Sequence, residues 1–160
     1  GCTRTRATMQ PSPVSRDVRF RKASQTIRGN ENTMKSELSH SLLILPVPNL
    51  NLTSDYYEKK LNFKAIKYLD VEQPHICLYR DLVEIVLTKS KLCEIQPNRM
   101  THGYGYDGYF TGKNIDKIYK ACVSSGVKIV KPLQMTDYGN FEFVLEDIDK
   151  RWICIGIKKN

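Results

Sequence analysis

Tyr138-Gly139-Asn140-Phe141-Glu142-Phe143-Val144-Leu145-Glu146-Asp147-Ile148-Asp149-Lys150-Arg151-Trp152-Ile153-Cys154-Ile155-Gly156-Ile157 reads as strand, acidic turn, strand. Phe141, Phe143 and Leu145 alternate with Glu142, Val144 and Glu146, the two-residue period of a half-buried strand. Asp147 to Lys150 supply turn chemistry, and Ile153, Ile155 and Ile157 then make an apolar row on one face of the next strand. The opposite face carries Trp152, Cys154 and Gly156. A large ring, a thiol and a bare backbone position fill a core poorly, so this face is expected to wall a cavity.

Working outward, the same kinds of unit recur. Leu42–Val47 predicts a strand, closed by Pro46, Pro48 and Asn49. Leu50–Leu61 has helical spacing, with Asn49 or Asn51 to cap its start and Asn62 to take the left-handed turn that ends it. Strands follow at Phe63–Leu69, His75–Arg80 and Leu82–Thr88, and residues 89–104 read as a polar loop. The order then repeats. Tyr106–Thr111 is a strand, and Asn114 opens a helix whose buried face is Ile115, Ile118, Tyr119 and Cys122, with Gly126 at its end. Val127–Val130, Phe141–Leu145 and Trp152–Ile157 complete the set.

The repeat is visible in the letters, since Asn62–Leu69 matches Gly126–Leu133 at an offset of 64. The expected fold class is therefore α+β, with two βαβββ modules at about residues 40–90 and 104–158. Together they would form a curved eight-stranded mixed sheet around a concave cavity, with the helices on the convex side.

Residues 1–33 are poor in large apolar side chains and show no periodicity. They read as a basic, disordered leader or an extension upstream of Met34, and residues 34–160 as the folded domain. A transit peptide is the alternative, although no amphipathic helix is visible in the segment. The formal net charge of +8 divides accordingly: seven Lys/Arg against two Asp/Glu in the leader, and 18 against 15 in the rest. A nucleic-acid or acidic-surface function would rest on the leader alone, and nucleic acid is not an expected partner. No apolar run approaches the about 20 residues of a membrane helix, so a soluble protein is expected. Five scattered cysteines without a close pair point to reduced thiols in a cytoplasmic protein.

Val47-Pro48-Asn49-Leu50, Tyr56-Tyr57 and Leu61-Asn62-Phe63 are similar to the V-x-D-L, F-Y and L-G-F signatures of the vicinal oxygen chelate superfamily. Tyr138-Gly139 with Phe141-Glu142-Phe143, and Asp147-Ile148-Asp149-Lys150, resemble its W-G-x-R-E-F and D-P-D-G-N. The resemblance covers about residues 40–158 of a family that includes glyoxalases, extradiol dioxygenases and bleomycin-resistance proteins. It implies a paired-module fold, a homodimer and, in the enzymes, a divalent metal held by one His or Glu from each of four strands. Those four positions fall on Leu42, Val86, Asp107 and Cys154. Two lack donor atoms, and a thiolate with one carboxylate makes no hard oxygen-rich site. The resemblance thus points to the metal-free bleomycin-resistance branch, an antibiotic-binding type, with no cofactor.

Strand parity gives a candidate site independently. Val83, Ile85 and Leu87 belong under the helices, which turns Glu84, Val86 and Thr88 to the concave side. The same parity directs Asp107, Tyr109 and Thr111 inward, joined by Trp152 and Cys154. The candidate ligand-binding residues are Glu84, Thr88, Asp107, Tyr109, Trp152 and Cys154. Rings and carboxylates together suit a cationic or heteroaromatic small molecule. A net charge of +3 on the folded region nevertheless opposes long-range attraction of a cation. The alternatives are a solvated strand face or a salt bridge to a nearby lysine for Glu84, and a core-filling ring for Trp152.

Three functions remain open at this level. One is sequestration of a small molecule, the second an enzyme of the same fold using Asp107, Glu84 or an ion, and the third an interaction protein acting through its leader. His75 and Cys77 share a strand face, but nothing marks an activated thiol there.

Overall fold

The computed structural model describes residues 37–158, so the leader expected at 1–33 lies outside the described residues. The first module comprises β1 (Leu43–Val47), α1 (Leu50–Leu61), β2 (Lys64–Tyr68), β3 (His75–Arg80) and β4 (Val83–Lys89). A short helix, α2 (Asn98–His102), stands in the connection. The second module comprises β5 (Gly108–Thr111), α3 (Ile115–Ser124), β6 (Lys128–Met135), β7 (Phe141–Glu146) and β8 (Trp152–Ile157).

The expected α+β architecture of two βαβββ modules is present. The eight strands form two four-stranded sheets, in the orders β1-β4-β3-β2 and β5-β8-β7-β6, rather than one continuous hydrogen-bonded sheet. β1 runs parallel to β4 and β5 parallel to β8, while the remaining neighbours are antiparallel. A parallel pair needs a crossover, and in each module the helix and two strands supply it. The β1 and β5 edges approach each other at Gly108, where an added Cβ would stand 2.9 Å from Leu43 Cδ2.

Local chemistry sets the helix ends. Asn49 accepts a hydrogen bond from the Leu52 amide at 3.1 Å, satisfying one donor of the first turn. Asn62 adopts φ 56 and its amide donates to Tyr57 O, the left-handed stop expected of it. Asn114 opens α3 differently, at φ 53 and without a side-chain capping bond. The five-residue α2 falls inside the stretch read as a polar loop. Pro97 precedes it and Gly103 ends it at φ 81, but a single turn of helix has too few apolar residues to show a period.

Alternation picks out the rows that join the core, although the middles of β7 and β8 are buried on both faces, Glu142, Val144 and Cys154 included. Ile85 and Leu87 of β4, Phe143 and Leu145 of β7, and Ile153 and Ile155 of β8 join one core beneath the helices. Ile157 ends its row exposed, past the edge of that core. Tyr57 of α1 is fully buried at the centre, edge-on to Phe63 with centroids 5.5 Å apart.

The acidic turn between β7 and β8 ties the modules together. Asp147 Oδ1 accepts the amides of Asp149 and Arg151, both at 2.9 Å, which folds the turn on itself. Its Oδ2 accepts the Tyr57 hydroxyl at 2.9 Å, and Thr53 donates to Asp149 at 2.7 Å. The Arg151 guanidinium donates in return to Pro46 O on β1. Burial pushes the Asp147 carboxyl up to about 6, against the opposing effect of these donors. Among the described residues, no helix is long and apolar enough to cross a membrane. Cys77, Cys122 and Cys154 are buried free thiols and Cys93 is an exposed one.

Candidate functional site

The faces opposite the core are read from strand register. On the first module, Ile44, Val86, Cys77 and Ile66 lie in one row across all four strands. Glu84, Tyr79 and Lys64 flank that row on one side, and Pro46, Thr88, His75 and Tyr68 on the other. On the second module, Tyr109, Cys154, Val144 and Lys131 make the central row. Trp152, Glu146 and Lys128 flank it on one side, and Thr111, Gly156, Glu142 and Gln134 on the other.

Glu142 is the hub of the second face. It is only 3% exposed, a position a carboxylate occupies only when its oxygens are satisfied. Tyr109 donates to its Oε2 at 2.6 Å and Tyr138 donates to its Oε1. Asn140 in turn donates to the Tyr109 hydroxyl at 3.2 Å. Burial alone would raise the Glu142 carboxyl, but these hydrogen bonds outweigh it and hold the group below the usual carboxylate range. The phenols move the other way. Burial and the bond to Glu142 raise Tyr109 well above its ordinary value, and the bond to Glu142 does the same, with burial second, for Tyr138.

Gly156 makes this arrangement possible. A Cβ there would stand 2.5 Å from Glu142 Cβ and 3.0 Å from the Tyr109 hydroxyl. The bare backbone position therefore receives the protein's own carboxylate and phenol.

Trp152 belongs to a second cluster beside the first. Its indole Nε1 donates to Glu146 Oε2 at 3.2 Å, and the same oxygen accepts from Arg99 of α2 at 3.2 Å. Lys128 donates to Oε1 at 2.8 Å. The Arg99 guanidinium lies 4.4 Å over the Trp152 ring centroid, a cation–π contact. Burial raises the Glu146 carboxyl, and the donors together with the Arg99 and Lys128 charges bring it below its usual value. Arg99, Tyr104, Tyr106, Lys131 and Trp152 border a cavity of about 610 Å³. Tyr106 and Lys131 also border an adjoining cavity of about 260 Å³ that reaches Tyr138 and Glu142. Lys131 donates to the Tyr106 hydroxyl at 3.3 Å and forms no ion pair among the described residues.

The six residues expected at the site are partly brought together. Glu84 and Tyr109 border one cavity of about 400 Å³ at the junction of the modules, which Leu42 also lines. Glu84 accepts the Tyr79 hydroxyl at 3.1 Å. Cys154 lies beside Tyr109 in register and is fully buried. Thr88 stands apart, with His75 and Val86 around a cavity of about 730 Å³ on the first module. Asp107 holds backbone: its Oδ1 accepts the Asn98 amide at 3.0 Å and its Oδ2 the Trp152 amide at 3.1 Å. It positions α2 and Trp152. Sequence reasoning passed over Glu142, Tyr138, Lys131, Arg99 and Glu146. Glu142 and Glu146 share the parity of Val144 and were legible as facing the cavity, whereas Arg99 is carried by the unforeseen helix.

The donor set does not fit the metal of the related enzymes. Leu42 and Val86 bring no donor atom, and both oxygens of Asp107 are engaged by amides. Burial, reinforced by the Glu142 charge, pushes the Cys154 thiol up to about 12, so it stays protonated near neutral pH. Among the described residues, no three His, Cys, Asp or Glu side chains are grouped to hold an ion.

A family profile, Glyoxalase/Bleomycin resistance protein/Dioxygenase superfamily, matches residues 38–155. No curated protein matches the sequence. Among known structures the fold is similar to TioX from Micromonospora sp. ML1, with TM-score 0.58 and 14% identity over 74% of this chain and 98% of that one. It is likewise similar to UcmS2, with TM-score 0.59 and 18% identity over 76% and 100% of the two chains. A glyoxalase/bleomycin resistance protein/dioxygenase from Alicyclobacillus acidocaldarius gives TM-score 0.60 and 19% identity over 76% and 92%. Identities this low carry the fold and nothing finer. With the profile spanning most of the chain, this protein belongs to the glyoxalase/bleomycin resistance protein/dioxygenase superfamily.

Proposed function

We propose that the protein binds a small planar aromatic molecule on the concave face of its second module and acts by sequestering it, without a metal. The observation that carries this reading is the wall around Lys131: Tyr104, Tyr106, Tyr138 and Trp152 border the two adjoining cavities that Lys131 joins. Rings supply apolar contact at low conformational cost, and a few fixed polar groups orient the ligand. Glu142 and Glu146 are already engaged by the protein's own donors, and Arg99 covers the Trp152 ring. Lys131 borders both cavities and makes no ion pair among the described residues, and Lys158 lies 5.7 Å over the Tyr109 ring, so a ligand with an acidic oxygen suits this face better than the cationic ligand expected from its rings and carboxylates. The active form is a homodimer in this reading, in keeping with the exposed apolar residues Leu42, Ile44 and Ile66 on the first module.

Calorimetry with 2-naphthoate and with its cationic counterpart 2-naphthylmethylammonium tests the proposal. The anion should bind more tightly, and Lys131→Gln should weaken it by about tenfold through loss of one charge-assisted contact. Binding should survive exhaustive chelation. A preference for the cation, indifference to Lys131→Gln, or loss of binding on chelation would each overturn the reading.

A further inference from the structure

A cavity on the other side of the sheets has no part in the site above. It occupies about 430 Å³ on the helix face, between the end of α1, the β3–β4 hairpin and the start of α3. Its deep wall is made by Phe63, Phe110, Ile118, Leu145 and Ile153, all core residues or residues packed on the core. Small-molecule sites run from about 300 to 1,000 Å³, so the space is large enough for a ligand. Its lining is apolar except for Arg80, Asp81, Thr111 and Lys113 at the mouth. Arg80 gives Nη1 to Leu61 O at 2.7 Å and its Nε lies 4.0 Å from Asp81, which leaves Nη2 without a partner among the described residues. Lys113 is exposed and makes no ion pair among the described residues. Leu82, at the tip of the two-residue hairpin, is 99% exposed and borders the same opening. A ligand entering the opening would gain apolar contact with this side chain.

We propose that this cavity is a second ligand site, which takes a medium-chain amphipathic carboxylate with its chain against Phe110, Ile118 and Leu145 and its carboxylate between Arg80 and Lys113. Lys113, without an ion pair among the described residues, and the open Nη2 of Arg80, whose Nε faces Asp81, put positive charge at the mouth of an apolar space and complement a molecule with one anionic end and one apolar end. A neutral hydrocarbon would leave the charges unused, and a compact polar anion would leave the apolar walls unfilled. The proposal is independent of ligand binding on the concave face.

Decanoate is the probe, titrated calorimetrically into the full chain, with methyl NMR shifts of Ile118 and Leu145 reporting where it lies. One decanoate per chain is expected, with octanoate weaker on the order of tenfold, since each methylene contributes separately. Lys113→Gln is an exposed substitution that leaves the fold intact, and it should weaken decanoate by about tenfold while leaving 2-naphthoate unaffected. Ile118→Phe should fill the cavity and abolish decanoate binding. If that variant misfolds, the Lys113→Gln titration and the methyl shifts of the unsubstituted protein still decide. Three results would overturn the proposal: no binding at about 1 mM, affinity indifferent to chain length and to Lys113→Gln, or decanoate displaced by 2-naphthoate with shifts confined to the concave face.

Discussion

The two modules share one topology and differ in what they do with the face opposite the core. The first spreads an apolar row, Ile44, Val86, Cys77 and Ile66, across all four strands, with Ile44 59% and Ile66 40% exposed. The second replaces that row with Tyr109, Cys154, Val144 and Lys131 and seats a buried carboxylate beside it. The backbone requirements of a βαβββ unit fall on the core-facing residues, so the outer parity is free to diverge. One face has become an internally bonded, preorganised wall. The other is a plain apolar surface of the kind that a partner covers.

The sharpest way to break the contrast is at Gly156. Gly156→Ala places a Cβ 2.5 Å from Glu142 Cβ and 3.0 Å from Phe141 O, so backbone as well as side chains must move. A loss of about 3 kcal/mol in unfolding free energy is expected from such overpacking, measured by urea denaturation. Thr88→Ala, on the opposite outer face, should cost under about 1 kcal/mol. Equal costs at the two positions would deny that the second face is the more tightly built.

Glu142→Gln comes next. It should destabilise by about 2 kcal/mol at neutral pH, because a charged acceptor of two phenol hydrogen bonds is lost in a buried setting. Its folded-state carboxyl is held below the usual value. The stability it contributes is therefore full above the unfolded carboxylate range and is lost as pH falls through the folded value. Urea midpoints measured from neutral to acidic pH should consequently fall less steeply in Glu142→Gln than in the parent. Asp147 acts in the opposite sense, since its carboxyl is raised to about 6 and its contribution is lost as pH rises through that value. Parallel acid limbs in parent and variant would show that Glu142 is not the titrating hub.

The smallest effect on stability is expected on the first face. Ile44→Ser should change the unfolding free energy of dilute protein by less than about 0.5 kcal/mol, since the residue is mostly exposed. If the proposed homodimer forms through this row, its effect should appear in association: sedimentation should show weaker self-association, whereas an unchanged association constant would take the apolar row out of the proposed interface.

Legibility from the letters follows the same division. The core rows of β4, β7 and β8 were readable because each is a local alternation of apolar and other side chains. The limits of α1 were readable because Asn49 and Asn62 carry their own capping chemistry. α2 was not, since one turn shows no period, and Arg99, which it delivers onto Trp152, was missed with it. Glu142 had the right parity, but a carboxylate on a strand reads as solvated until its donors are known. Those donors come from Tyr109, 33 residues earlier, and from Tyr138 across a turn.

The sequence by itself determined the repeated βαβββ order, the buried parity of its strands and the membership that its signatures imply, because these depend on period and turn chemistry along a few consecutive residues. Only the tertiary structure decided which polar groups were spoken for. Asp107 became a clamp on two backbone amides, Gly156 the seat of a carboxylate, and Lys131 a cation without an ion pair among the described residues. Each outcome is set by which strand lies beside which and in what register, and a hydrogen bond acts over about 3 Å however far apart its partners stand in the chain.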